Sequence, residues 1–293
     1  MTQKYNTQNQ KSLIDLEEWV LKILADPITK KPTPPPFFLS ENFSHINGII
    51  DARVYLKNTY GFRDWEIGQE VYEQWQASGE GHNNQVNFYK KEIEYDRPIY
   101  EHFKMSGDIL DVGGLTGTVR EFLSEDCRFV SVDPYIEAVF KIAHAKKEAY
   151  KCLSKRFNFI GALAEFLPFQ SDSFDYVHMR SMLDHVQVPD LALKEANRVL
   201  KFNGGLIVGL YVEGGKSGRK TFIRWAKEMI RKVLELIGIE KYKDFHTWHP
   251  SYFNLLKLIT DNGFEVKESY WQPFWKEQVV YVFATKQMRE QTR

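Results

Sequence analysis

The chain has 293 residues, enough to bury a sizeable core as one large domain or two smaller ones. Its 39 basic residues are balanced by 39 acidic ones, which removes the general attraction to nucleic acid that a basic surplus provides, so a small-molecule partner is expected and no nucleic acid. Only Cys127 and Cys152 are present, and the longest apolar stretch, 206–212, is too short to cross a bilayer; a disulfide scaffold and a helical membrane span are excluded, and a cytoplasmic protein is expected.

In chain order, Leu13, Leu16, Val20, Ile23 and Leu24 recur at helical spacing behind Ser12 until Pro27 and the prolines of 32–36 stop the pattern. A small N-terminal module over residues 1–84 is expected. Residues 69–104 mix aromatic and charged side chains at roughly helical spacing, and helices leading into a sheet are expected there. From 108 onward, strands near 108–112, 129–133, 157–161, 174–179 and 205–212 alternate with helical stretches. That pattern implies a mostly parallel sheet covered on both faces.

An insertion at about 213–250 follows. Within it Phe222, Ala226, Met229, Val233 and Ile237 share one helical face, and Lys220, Arg224, Lys227 and Arg231 share another. Residues 219–237 therefore read as an amphipathic lid whose basic side meets solvent, anionic lipid or a phosphate-bearing acceptor. Pro250 suits the first turn of a helix carrying Phe253, Leu255, Leu256 and Leu258. The last two apolar runs, 265–271 and 279–284, are separated by too few residues for a crossover, so they must pair as a hairpin.

The chemistry concentrates where the parallel pattern begins. Asp111-Val-Gly113-Gly114-Leu-Thr-Gly117 follows a short apolar run, and Asp133 closes the next one, 22 residues on. In a doubly wound fold the glycines admit a ligand close to backbone amides, and the second acid sits where ribose hydroxyls need an acceptor. A dinucleotide fingerprint needs G-x-G-x-x-G, and Leu115 occupies its second glycine, which disfavours NAD.

Asp111-x-Gly113-x-x-x-Gly117 instead resembles the first motif of class I S-adenosylmethionine-dependent methyltransferases, usually D-x-G-x-G-x-G. Further matches follow in order: Ala164-Glu165-Phe-Leu-Pro-Phe169 resembles the adenine-flanking A-E-x-L-P-F segment, Asp172-Ser-Phe-Asp175 the turn into the fourth strand, and Arg198-Val-Leu-Lys-Phe-Asn-Gly204-Gly205 the R-V-L-K-P-G-G turn before the fifth. The resemblance implies an α/β fold with a doubly wound, Rossmann-like, mostly parallel sheet ending in an antiparallel hairpin over residues 85–293. It also implies S-adenosylmethionine as cofactor. Two positions depart from the family pattern: Leu115 replaces the middle glycine, and Leu163 stands where many members have an aspartate for the adenine amino group. Near the N-terminus, 23–32 and 48–53 resemble the zinc-ribbon-like, Trm112-related module of some methyltransferases, but Asp26 takes a usual cysteine position, so no thiolate zinc site can form there.

For the cofactor the resemblance implies Asp111, Gly113, Gly114 and Gly117 at the methionine end, Asp133 at the ribose and Leu163, Ala164 and Glu165 at the adenine; Arg180 is grouped with them as an anion-binding candidate. His185, after the fourth strand, is the candidate catalytic base if the acceptor is a hydroxyl, with a helix-capping or packing role as the alternative. Tyr89 is a candidate substrate contact, although an aromatic core role suits it too. His246 and His249, in Asp244-Phe-His-Thr-Trp-His, are further candidates; D-x-H-x-x-H can begin a metal site, but the sequence offers no third firm ligand pattern, so no metal is expected. The expected activity is methyl transfer to a small-molecule acceptor, such as a sugar or lipid-linked glycan intermediate. The rival is a non-catalytic, methyltransferase-like partner subunit.

Overall fold

β3 (Asp108–Val112) is buried along its entire length, as a strand covered on both faces must be. In the computed structural model, which describes residues 16–33, 41–78, 85–218, 229–230, 244–273 and 277–287, it lies at the centre of a nine-stranded sheet of order β1-β2-β5-β4-β3-β6-β7-β9-β8. The other strands are β1 (Ser44–Ile46), β2 (Ile49–Asp51), β4 (Arg128–Asp133), β5 (Asn158–Gly161), β6 (Phe174–Arg180), β7 (Leu200–Tyr211), β8 (Phe264–Trp271) and β9 (Val279–Lys286). β2, β5, β4, β3, β6 and β7 run parallel, while β7, β9 and β8 pair antiparallel through the expected terminal hairpin.

Strand alternation divides the core in two. Leu110, Val112, Val130, Val132, Ile160, Leu206 and Val208 point to one side, where α5 (Pro189–Val199) and α6 (Tyr252–Asp261) supply Leu193, Ala196, Leu255 and Ile259. Ile109, Phe129, Phe159, Ile207 and Tyr281 point to the other, against Ile99, Tyr100 and Phe103 from α3 (Val86–His102) and its C-terminal end, while α4 (His144–Ala149) packs Ala145 and Ala149 with Tyr89 and Ile93 of α3. Pro250 lies just before α6 rather than in its first turn; Ser251 caps the helix, its hydroxyl accepting the Asn254 N–H at 3.2 Å.

The N-terminal segment shares this framework. β2 extends the sheet beside β5, and Val20 from α1 (Glu18–Ile23) and Leu24 just after it join the first core face. Asp26 accepts the backbone N–H groups of Ile28 and Thr29 at 2.9 and 2.7 Å, closing a turn. α2 (Phe62–Ser78) then brings a face of this segment over the carboxyl ends of the strands. The lid helix expected at 219–237 lies outside the described residues except for 229–230, which are helical.

Two motif turns are structural. Arg198 donates to the carbonyls of Phe169 and Leu167, and Lys201 bridges Asp108 and Asp175 at 3.0 and 2.9 Å. These bonds lock the starts of β3, β6 and β7 together. Their opposite ends form the site.

Candidate active site

The chain runs β3, β4, β5 to one side of β3 and then returns to place β6 on the other. Such a reversal leaves a crevice at the carboxyl ends of the strands, where open α/β sheets bind ligands. Gly113, with φ 72°, begins the turn out of β3, and a Cβ there would lie 2.6 Å from Met182 Cβ. At Gly114 a Cβ would lie 2.0 Å from an Asp111 carboxylate oxygen. Leu115, where the motif has its middle glycine, adopts the left-handed φ of 42° that a glycine takes freely, at a cost of about 1–2 kcal/mol. Gly117, φ 65°, leads into a five-residue 3₁₀ turn, Thr118–Phe122, instead of the long helix the motif suggests. Loop amides, more than a helix dipole, are therefore what this turn offers to a ligand.

Asp133, the last residue of β4, is buried and holds this loop. Its Oδ2 accepts the Leu115 N–H at 3.1 Å, and its Oδ1 accepts the Tyr135 N–H at 2.9 Å. Burial pushes its carboxyl up to about 7, against the lowering effect of those two amides.

Gly113, Leu115, Asp133, Leu163, Ala164, Glu165 and His185 line a single pocket. Leu163 gives the wall an apolar surface where many relatives carry an acid. Glu165 accepts the N–H groups of Gln187 and Val188 at 2.8 and 3.2 Å, so it fastens the loop before α5; burial raises its carboxyl pKa. His185 sits on the loop after β6, and burial lowers its pKa, which favours the neutral imidazole.

Three further wall residues, Trp65, Gln69 and Tyr72, come from α2. Trp65 Nε1 donates to the His185 carbonyl at 2.7 Å, Gln69 accepts the Tyr135 hydroxyl at 3.0 Å, and the Tyr72 ring stands edge-on to His185 with centroids 4.6 Å apart. Sequence reasoning missed them. Their spacing of four and three residues marks one helical face, which was the available signal.

Seven candidates lie off the pocket wall. Asp111 is beneath the loop, its Oδ1 2.8 Å from His178 Nδ1, and His178 Nε2 is 3.2 Å from the Tyr100 hydroxyl. Gly114 and Gly117 shape the loop around it. Arg180 is committed to a buried two-pronged ion pair with Asp96, whose Oδ1 also accepts from Gln272 at 3.2 Å. Tyr89 is 1% exposed and packs edge-on against Tyr150 and Phe88, the core role rather than the substrate contact. His246 and His249 sit beside the pocket instead: the His246 ring is 4.4 Å from that of His185, and His249 Nε2 is 3.1 Å from Asp244 Oδ2.

A family model described as a methyltransferase domain matches residues 110–208, the stretch from β3 to β7 that carries the loop, Asp133, Glu165 and His185. Residues 110–208 therefore carry a methyltransferase domain, and the chain is similar to class I S-adenosylmethionine-dependent methyltransferases. Among curated proteins, the chain is 28% identical over 169 residues to the ubiquinone/menaquinone biosynthesis C-methyltransferase UbiE of Shewanella sp. (strain W3-18-1), a match spanning 54% of this chain and 66% of that protein. It is 36% identical to the UbiE protein of Agrobacterium fabrum over 114 residues, 34% of this chain and 39% of that one. The chain thus spans about two thirds of the first of these relatives and well under half of the second. In fold, the chain resembles the Burkholderia thailandensis 1,6-didemethyltoxoflavin-N1-methyltransferase, solved with 1,6-didemethyltoxoflavin and S-adenosylhomocysteine, with a TM-score of 0.52, 12% identity and coverage of 84% of this chain and 100% of that one.

S-adenosylmethionine is the cofactor of the family, and the residues present fit it. A buried carboxylate ends β4, the loop before it is open to close backbone approach, and an apolar wall at Leu163 and Ala164 suits a base.

Proposed function

We propose that the protein transfers the methyl group of S-adenosylmethionine to a small-molecule acceptor. The reading rests chiefly on Asp133, which ends β4 at the topological reversal and stands in one pocket with Gly113, Leu163, Ala164, Glu165 and His185. In this reading Asp133 takes the ribose hydroxyls, Leu163 and Ala164 cover the adenine, and the 113–117 loop meets the methionine end above Asp111. The sulfonium supplies the leaving group when bound. The protein's share is alignment: walls on both sides hold the nucleophile in line with the methyl carbon and keep water away.

In this reading Trp65, Tyr72 and His185 form the acceptor side of the pocket, so residues 65–72, ahead of the class I domain expected at 85–293, contribute to the reaction chamber. These aromatic faces favour a flat, ring-bearing acceptor over the sugar or lipid-linked glycan expected from the sequence. The names of the UbiE relatives point the same way, towards quinone biosynthesis.

Incubation with trideuteromethyl-labelled S-adenosylmethionine and a fractionated metabolite extract, read by mass spectrometry, tests this. Labelled product together with S-adenosylhomocysteine is expected. Tight cofactor binding without any labelled product would favour the non-catalytic partner subunit.

A further inference from the structure

We infer that Asp184, His185 and His246 bind one divalent transition-metal ion on the acceptor side of the pocket. The site stands on its own geometry, while the part assigned to the ion rests on the methyl-transfer reading. One ligand atom from each residue lies within 4.8 Å of the other two. Asp184 Oδ1 is 3.9 Å from His185 Nε2, and Asp184 Oδ2 is 3.7 Å from His246 Nε2. These separations are too long for hydrogen bonds. They are close to the spacing of two ligands around one ion, about 3–3.5 Å for metal–ligand bonds of about 2.1 Å.

Asp244 supplies the support that such ligands usually have. His246 Nδ1 is 2.5 Å from Asp244 Oδ1, which keeps the proton on Nδ1 and leaves Nε2, on the side of Asp184, as the electron-pair donor. This carboxylate–imidazole arrangement orients a metal-binding histidine. A purely structural polar cluster accounts for less, because two of its buried atoms, Asp184 Oδ1 and His185 Nδ1, have no hydrogen-bond partner among the described residues. Unpaired buried polar atoms are costly, and a cation on the Asp184 carboxylate removes one of the two.

The two loops are held in register. Thr247 donates its N–H and hydroxyl to the Asp184 carbonyl at 2.8 and 3.0 Å and the same hydroxyl lies 2.6 Å from the Val186 carbonyl, while Trp65 fastens the His185 carbonyl from the other side. Two imidazoles and one carboxylate select zinc, manganese or iron over magnesium or calcium, and they leave coordination positions open. His185 borders the pocket, so an acceptor oxygen can enter such a position, where the ion promotes loss of its proton to solvent. The ion thereby takes over the activation that the sequence assigned to His185 as a base.

The test uses the full, untagged chain, stripped with a chelator and titrated with Co²⁺, whose visible absorption reports its ligands; Zn²⁺ is then added in competition. One equivalent of Co²⁺ should bind and be displaced by Zn²⁺. Asp184→Asn and His246→Ala should each abolish the absorption in variants with wild-type circular dichroism, and Asp244→Asn should weaken binding by about tenfold. X-ray absorption of the zinc-loaded wild type should show nitrogen and oxygen ligands with imidazole scattering, a readout that needs no variant. No stoichiometric binding, unchanged binding in the folded variants, or an edge without imidazole scattering overturns the site. S-adenosylhomocysteine titrated into the stripped protein keeps the two readings apart: its failure to bind, beside normal Co²⁺ uptake, removes the methyl-transfer reading and leaves the metal site standing.

Discussion

Asp133 Oδ2 accepts the backbone N–H of Leu115 at 3.1 Å, so the acid at the end of β4 is tied directly to the loop at the end of β3. The group proposed to hold the ribose also holds the backbone proposed to meet the methionine end. Leu115 sits in this bond with a left-handed backbone, φ 42°, that leucine adopts only under constraint.

Leu115→Gly should therefore change stability by less than about 1 kcal/mol, because relief of the backbone strain offsets the entropy and packing that leucine supplied. Leu115→Ile, branched at Cβ, should cost about 2 kcal/mol. Urea denaturation of both variants measures the difference. Equal losses would mean that packing alone fixes Leu115.

Asp133 gives a pH signature. Its carboxyl lies near 7 through burial, and ribose hydroxyls donating to it would favour the charged form. Cofactor affinity should accordingly rise between pH 6 and pH 8, and binding near neutrality should release a proton. The affinity change is about tenfold for each unit by which the ligand lowers this pKa. For the unliganded protein the sign reverses: a carboxyl raised in the folded state stabilises fully below its unfolded value near 4, and that contribution is lost as pH climbs through about 7. Calorimetry of S-adenosylhomocysteine in two buffers of different ionisation enthalpy reads the proton. A pH-independent affinity with no proton release would remove Asp133 from the ribose.

Gly114→Ala should be among the most damaging single changes in the loop. The added Cβ would lie 2.0 Å from the Asp111 carboxylate, and the displacement it forces must break the buried Asp111–His178 contact at 2.8 Å. A loss of about 2–4 kcal/mol is expected from such a network, with cofactor binding lost as well. Thermal melts with and without S-adenosylhomocysteine would show it; a wild-type melting temperature would mean that the loop yields easily.

Arg180 should matter to stability through its ion pair with Asp96. Removing the guanidinium in Arg180→Met leaves Asp96 buried without its partner and should cost about 3–5 kcal/mol. Adding Asp96→Asn should recover a large part of that loss. If Arg180→Met folds as stably as the wild type and instead fails to bind cofactor, the sequence-based placement of Arg180 in the cofactor set is the better one.

The parallel sheet was readable because its strands are short apolar runs bounded by turns, and because family motifs mark the loop, the second acid and the adenine wall in order. What stayed hidden depends on pairing across long separations. Nothing near Arg180 announces Asp96, 84 residues away, and nothing near Asp184 and His185 announces His246, about 60 residues on. Tyr89 and Tyr100 lie on similar helical faces, and sequence periodicity does not distinguish the core from a pocket. The β1–β2 hairpin was missed for a simpler reason: three-residue strands are too short to show alternation.

The most direct measurement is a calorimetric titration of S-adenosylhomocysteine, with NAD in parallel, into the wild type and Asp133→Ala. The account predicts saturable binding of S-adenosylhomocysteine to the wild type, no comparable binding of NAD, and at least about a tenfold loss in an Asp133→Ala variant that remains folded, as expected for removal of a charged, doubly accepting partner. Unchanged affinity in that folded variant would contradict the placement of the ribose at Asp133, and preference of the wild type for NAD would contradict the proposed activity itself.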